Sequence, residues 1–405
     1  MDYSKFERLK NYNLPAIAKS TSHRKDVVDL IQSIYEHYGT NNKASFSQLG
    51  QEYLTKIEAI HQNCHDFVYV GIEVELENYR AVKAITDDDV LIPYKFYWTE
   101  KEDGSLRNNG REFVSRFGML REHTYDALLV LEKSVTTVTN NKIEANARTG
   151  LHVHIDVSQL TAYQFANLLF IYSIFEPMIF HVSGGRNENI FCVPWETNRK
   201  TLGQVVNELA EHNNLRNWRW RNYSKYCGLN LASLASFGTV EFRMHKGTYS
   251  AEEIQKWVDF LSNLYLYAKR TDFIDNLMRF RTNRMDWKYW DVFAEIFTPY
   301  AREIEQLQIS NREELLTRCK YATISFFKHL VDPAKMPDSE HLNVKQAVLI
   351  NNDPGEFIWD PDREAEERNV RNVRNVRMPQ PNINFNDLVR NLDIDEDFHI
   401  AEERA

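Results

Sequence analysis

The chain has 405 residues and a formal net charge of -9, an acidic balance that argues against nucleic acid as the main partner, since phosphate binding shows as a basic excess. Hydrophobic residues at 43% and aromatics at 13% are enough for a large packed core. Cys64, Cys192, Cys227 and Cys319 are scattered with no CxxC pair, a pattern that does not suggest a disulfide framework or thiolate zinc site and suits reduced thiols in a cytoplasmic protein.

The opening stretch MDYSKFERLK has no apolar signal core. Residues 1–63 read as a helical N-terminal extension, with Val27, Val28, Ile31, Ile34 and Tyr35 along one face of a helix from Asp26 to Tyr38, and a second amphipathic run from Ser45 to Ile60. From Cys64 the pattern changes to period two, opening a catalytic domain expected over 64–335. Strands are predicted at 67–77, 92–98, 110–115, 149–157, 227–233 and 238–245, and helices at 122–138, 161–182, 201–212, 251–269 and 311–330. Alternating rather than solidly apolar strands, separated by helices of unequal length, predict an α+β fold with a one-faced antiparallel sheet. The most hydrophobic stretch, Phe165 to Val182, is interrupted by Asn167, Ser173, Glu176 and Pro177, and reads as a buried helix, not a membrane span. Thr161 and Gln164 form a capping box for it, and Gly184-Gly185 supplies the stop.

NWRWRNY, from Asn217 to Tyr223, interleaves arginine with tryptophan. A stacking surface for a nucleobase is one reading, and an edge segment packing its tryptophans inward is the plainer one. Residues 336–405 read as a flexible tail: RNVRNVRNVR from Arg368 is low in complexity, and an acidic run spans Asp393 to Asp397. NFNDLVRNL, from Asn384, either docks a partner or belongs to a solvated tail without a role.

Three segments carry the chemistry: GIEVELE from Gly71, GLHVHID from Gly150 and TVEFRMH from Thr239. Residues two apart on a strand share a face. Ile72, Val74 and Leu76 therefore face a core while Glu73, Glu75 and Glu77 face away. Leu151, Val153 and Ile155 stand likewise against His152, His154 and Asp156, and Val240, Phe242 and Met244 against Glu241, Arg243 and His245. A solvated sheet face also alternates, but such faces are rich in Thr, Lys and Ser, whereas these carry Glu, His and Arg. Between the first two segments, DGSLRNNGREFVS places a turn at Asp103-Gly104 and starts a strand at Glu112. Glu73, Glu75, Glu112 and Glu241 with one or two histidines could hold two or three hard cations, Mg²⁺ by preference and Mn²⁺ where a histidine nitrogen joins the oxygens. Arg243, on the face of Glu241, suits a transferring phosphoryl group.

The ordered set GxExE, DGSL…G-x-E-x-x-S, TGLHVHID, R-x-x-x-x-Y…N and GTVEFR…GT, from Phe67 to Lys269, resembles the amidoligase family, carboxylate–amine ligases related in fold to glutamine synthetase and glutamate–cysteine ligase. The resemblance implies a curved antiparallel sheet forming a funnel, with nucleotide entering one end and the acid the other. It implies that Glu73, Glu75, Glu112, His152 and Glu241 bind metal, that His154 lies near the nucleotide phosphates, and that Arg243 meets the terminal phosphate. Glu75, Glu241 and Arg243 are then the catalytic set, and Arg186, Tyr226 and Asn230 fall on the substrate side.

The expected activity is ATP- and Mg²⁺-dependent amide formation through an acyl phosphate, with amino-acid, peptide, protein or cell-wall substrates all open. Related enzymes range from monomers to large rings, so an oligomer is compatible with the pattern. The alternatives are a metal-dependent hydrolase using the same Glu/His faces, or an inactive scaffold whose tail recruits partners.

Overall fold

The computed structural model describes residues 10, 23–38, 43–63, 66–79, 88–138, 143, 146, 148–184, 186, 189, 191–195, 226–272, 292, 295–307 and 311–319. The described residues all belong to one unit of the chain, Met1–Ala347. The predicted helix at 201–212, the NWRWRNY segment, Cys64 and the whole tail lie outside them.

The fold is α+β: an open, all-antiparallel sheet flanked by helices. Two N-terminal helices, α1 (His23–Tyr38) and α2 (Lys43–Asn63), precede β1 (Tyr69–Leu76). Then come α3 (Asp88–Tyr97), β2 (Trp98–Lys101), β3 (Arg111–Ser115), β4 (Met119–Leu120) and α4 (Arg121–Val138). β5 (Gly150–Asp156), α5 (Ala162–Val182), β6 (Leu229–Asn230), α6 (Ser233–Phe237), β7 (Thr239–Lys246) and α7 (Ala251–Arg270) complete the sheet region, followed by a 3-10 turn at Thr298–Tyr300 and α8 (Ala301–Glu305). The strands run in the order β2-β3-β1-β5-β7-β6, with β4 paired to β1 beside β3. The three chemistry-bearing segments are thus the three central neighbours β1, β5 and β7.

One face of the sheet is the core. Ile72, Val74, Leu151, Val153, Val240 and Phe242 are essentially sealed from solvent. Helix α4 packs near β1, α7 near β5 and α5 near β7, with α7 lying against both other helices. Each such aliphatic or aromatic side chain contributes roughly 1.5–3 kcal/mol by leaving water. Polar side chains fix the helix layer: Arg121 Nε donates to Asp259 Oδ1 at 2.8 Å, and Asn167 Nδ2 to the Ala268 carbonyl at 2.8 Å.

Helix α5 forms where its caps predict. The Gln164 amide donates to Thr161 Oγ1 at 3.1 Å, and the Thr161 amide donates to Gln164 Oε1 at 2.9 Å. At the other end Gly184 adopts φ +96°, a left-handed conformation that a side chain resists. By length and composition α5 could cross a membrane, but 89% of its apolar window is buried inside the fold.

Two expectations are corrected. Residues 92–97, predicted as strand, belong to α3, and extended pairing begins only at Trp98. The aromatic-rich sequence LIPYKFYW suggested a strand, but Val90, Tyr94 and Tyr97 fall on one helical stripe and are buried. Residues 231–233 are not strand either, because β6 ends at Asn230 and α6 starts at Ser233.

Candidate active site

Strand pairing assembles the site. Glu75 stands opposite Glu112, Glu73 opposite His152, His154 opposite Glu241, and Asn230 opposite Glu241. Paired residues in an antiparallel ladder project to the same side with close Cβ atoms, so five strands, β3, β1, β5, β7 and β6, deliver their polar groups to one surface.

The groups are in mutual reach. His152 Nδ1 lies 3.3 Å from Glu73 Oε2 and 3.6 Å from Glu241 Oε1, and its Nε2 lies 3.6 Å from Glu75 Oε1. His154 Nε2 is 3.5 Å from Glu73 Oε1, and its Nδ1 is 2.9 Å from Thr239 Oγ1, which orients the ring. Glu75 Oε2 accepts from the Gly150 amide at 2.7 Å. Glu241 accepts from Asn230 Nδ2 at 2.6 Å through one oxygen and from Arg243 Nη1 through the other. Glu75, His152, His154 and Glu241 are buried, whereas the Glu73 side chain keeps 23% exposure and marks where the cluster meets solvent.

Among the described residues there are three overlapping sets in which the donor atoms lie within 4.8 Å of one another: Glu75, Asp103 and Glu112; Glu73, Glu112 and His152; Glu73, His154 and Glu241. The first offers only oxygens, as Mg²⁺ prefers, and the others mix carboxylates with one imidazole, which also accommodates Mn²⁺. The donor chemistry therefore fits divalent cations of the hard type.

Electrostatics supports that fit. Burial and the charges of Glu73, Glu75 and Asp103 push the Glu112 carboxyl up to about 8. Like charges this close oppose ionisation, and a cation between them would remove the conflict. Burial works against the ionised form of Glu73 too, but its contacts with His152 and His154 prevail and hold it well below the ordinary range. Burial opposes the charge on Glu241 as well, yet Arg243, His154 and His152 hold this carboxyl low. Burial opposes charging of His154, which Glu73 and Glu241 outweigh, raising its pKa. Arg243 is raised in turn, with burial overcome by Glu241 and Glu75.

Of the three substrate-side expectations, Asn230 is bonded to Glu241, and its Oδ1 also accepts from the Ala232 amide at 2.9 Å. Arg186 is buried beside Gly150 and donates to the carbonyls of Arg243 and His245. Tyr226 sits on the neighbouring segment, its carbonyl accepting from the Val193 amide and its ring 5.9 Å from Phe191. Glu77, on the site face by alternation, anchors loops instead: it accepts from the Arg107 amide at 2.8 Å, Asn146 Nδ2 at 2.6 Å and Arg148 Nε at 3.0 Å.

His245 departs from the alternation. On β5 a single residue separates Leu151 from Val153, while on β7 two separate His245 from Phe242. This bulge shifts the side-chain parity, so His245 pairs with Leu151 on the core side and lies 5.0 Å from the Trp257 ring of α7. Burial pushes its pKa down to about 4.

Two site residues escaped the sequence reading. By sequence Asp103 marks only a turn; its Oδ1 does accept from the Ser105 amide at 2.7 Å, but the loop also carries it to Glu75 and Glu112. Its signal was an acidic residue in the loop leading into the Glu112 strand. Phe237, 58% exposed, presents its ring edge-on to His154 with centroids 5.9 Å apart.

A family model described as "Putative amidoligase enzyme" matches residues 123–265. The match supports the resemblance drawn from the motifs, and with it an enzyme of the ligase kind. It covers β5, β6 and β7, hence His152, His154, Asn230, Glu241 and Arg243, while Glu73, Glu75 and Glu112 lie outside it and reach the site through strand pairing. No curated protein matches the chain.

Proposed function

We propose that this chain is an ATP-dependent carboxylate–amine ligase that forms an amide bond through an acyl phosphate. The observation that carries the reading is the shared face of β3, β1, β5 and β7, where three overlapping carboxylate–histidine sets lie beside Arg243. The match to the amidoligase family over 123–265 points the same way.

Glu73, Glu75, Glu112, His152 and Glu241, with Asp103, would hold Mg²⁺ or Mn²⁺. Such ions, when bound, neutralise phosphate charge and align the terminal phosphoryl group. The protein's own groups do the rest. Arg243 is held as a cation by Glu241 and faces the phosphoryl group in transfer. Asn230 and Arg243 fix the two oxygens of Glu241 so that it presents a set orientation. His154, oriented by Thr239, lies on the phosphate side.

A carboxylate is a poor electrophile. Its oxygen attacks the γ-phosphorus of ATP and ADP leaves. The amine then attacks the acyl carbon, and a tetrahedral intermediate collapses with loss of phosphate and a proton. No protein nucleophile is needed.

The test is ADP release from ATP and Mg²⁺ with a pool of amino acids as acids and hydroxylamine as the amine. Acid-dependent ADP release with hydroxamate formation, lost in Arg243→Gln, is the expected result. Metal-dependent hydrolysis of esters or amides without nucleotide would replace this reading with the hydrolase.

A further inference from the structure

We infer that Arg186 is a positioning residue: it latches the bulge of β7 and thereby sets the direction in which Arg243 points. At the bulge, Arg243 and Met244 stand against the single residue His152, so the ladder is locally interrupted and its carbonyls need other donors. Arg186 Nη1 supplies them, donating to the Arg243 carbonyl at 3.0 Å and the His245 carbonyl at 3.1 Å. One guanidinium nitrogen thus bridges the two ends of the irregular segment.

The surroundings are shaped for this latch. Gly150 opens β5 directly beneath it, where a methyl group would overlap Arg186 Nη1 and stand 2.8 Å from His152 Nε2. The C-terminus of α5 brings Arg186 there: the Lys246 amide donates to the Ser183 carbonyl at 3.0 Å, and the chain turns at Gly184. Arg186 is buried, its Nε has no hydrogen-bond partner, and among the described residues it forms no direct ion pair, although the Glu75 charge favours its cationic form. Taking a guanidinium out of water is costly, and its two carbonyl bonds offset part of that cost.

The consequence is local. On one side of the bulge Arg243 stays with Glu241 on the site face, and on the other His245 is turned onto Trp257. Without the latch, β7 can relax toward regular pairing, and Arg243 loses the backbone that aims it. The catalytic half of this inference rests on the ligase reading, whereas the latch itself does not.

A double-mutant cycle tests it, with Mg²⁺–ATP binding by calorimetry and amide exchange across 239–246 measured on wild type, Arg186→Gln, Arg243→Gln and the pair. Arg186→Gln should weaken binding about tenfold and speed exchange in 239–246, while the pair binds within about twofold of Arg243→Gln alone. Arg186→Lys should restore part of both losses, and Gly150→Ala, which displaces the guanidinium, should reproduce the exchange change even if Arg186→Gln does not fold. Additive binding losses would mean that Arg186 meets the ligand itself and would overturn the inference. Unchanged exchange in both Arg186→Gln and Gly150→Ala would overturn it too, whatever the binding shows. Failure of wild type to bind nucleotide would count against the ligase reading, leaving exchange alone to decide whether the latch exists.

Discussion

The two faces of the central sheet are both largely buried, yet for opposite reasons. On the helix side, Ile72, Val153 and Phe242 are sealed among α4, α5 and α7, and their burial adds to stability. On the other side, Glu75, His152 and Glu241 are also buried, but ionisable groups removed from water cost free energy unless paired. Part of that cost is met by Arg243, Asn230 and the Gly150 amide, and part is left as repulsion at Glu112. Three strands therefore carry a stabilising face and a face held under electrostatic tension. Such tension is expected where a cation or charged substrate is to be received.

Substitutions should separate the faces. Phe242→Ala, on the helix side, should cost about 3–5 kcal/mol in urea unfolding, by lost burial plus the cavity left behind. Glu241→Ala, next to it on the same strand, should lower ligase turnover by about 10²–10³-fold, a loss of the size seen when a transition-state charge partner is removed. Its cost in unfolding, set by the partner it takes from Arg243 and Asn230 and offset by relief of carboxylate repulsion, should stay below that of Phe242→Ala. If Glu241→Ala unfolded as readily as Phe242→Ala, the division between the faces would fail.

Their pH responses should also diverge. Glu112 is raised to about 8 in the fold, so its contribution to stability is fully present below its ordinary carboxylate range and is lost as pH rises through about 8. A cation needs the ionised form, so Mg²⁺ affinity should strengthen up to about tenfold per pH unit until about pH 8. Calorimetry at pH 6.5 and 8.5 reads this, and Glu112→Gln should flatten it. His245 behaves in the opposite sense: with its pKa lowered to about 4 by burial, it stabilises the fold above its ordinary range, and that contribution fades as pH falls toward 4. Its acid limb should appear in melting curves and vanish in His245→Phe.

The smallest expected effect lies outside both faces. Thr161→Ala removes the side-chain half of the α5 capping box and should cost about 1 kcal/mol with no change in turnover.

Much of this arrangement was legible in the sequence, because period-two alternation reports the two faces of a strand directly. Glu73, Glu75, His152, His154, Glu241 and Arg243 were read from that alternation, and the α5 capping box from Thr161 and Gln164. What escaped depended on partners. The β7 bulge exists only against β5, so nothing within TVEFRMH says that His245 turns to the helices. Asp103 reaches Glu75 and Glu112 through the loop that Glu77 anchors by the Arg107 amide, a contact thirty residues away in sequence. Residues 92–97 became helix because burial of Val90, Tyr94 and Tyr97 outweighed the strand preference of their aromatic residues.

Nucleotide and metal binding at this face can be read by a thermal-shift titration with a non-hydrolysable ATP analogue, with and without Mg²⁺, on wild type and Glu75→Ala. A ligand that binds only the folded state raises the melting temperature by mass action. A Mg²⁺-dependent rise in wild type that Glu75→Ala loses is the expected result. No rise with nucleotide in the presence of Mg²⁺ would contradict the ligase reading.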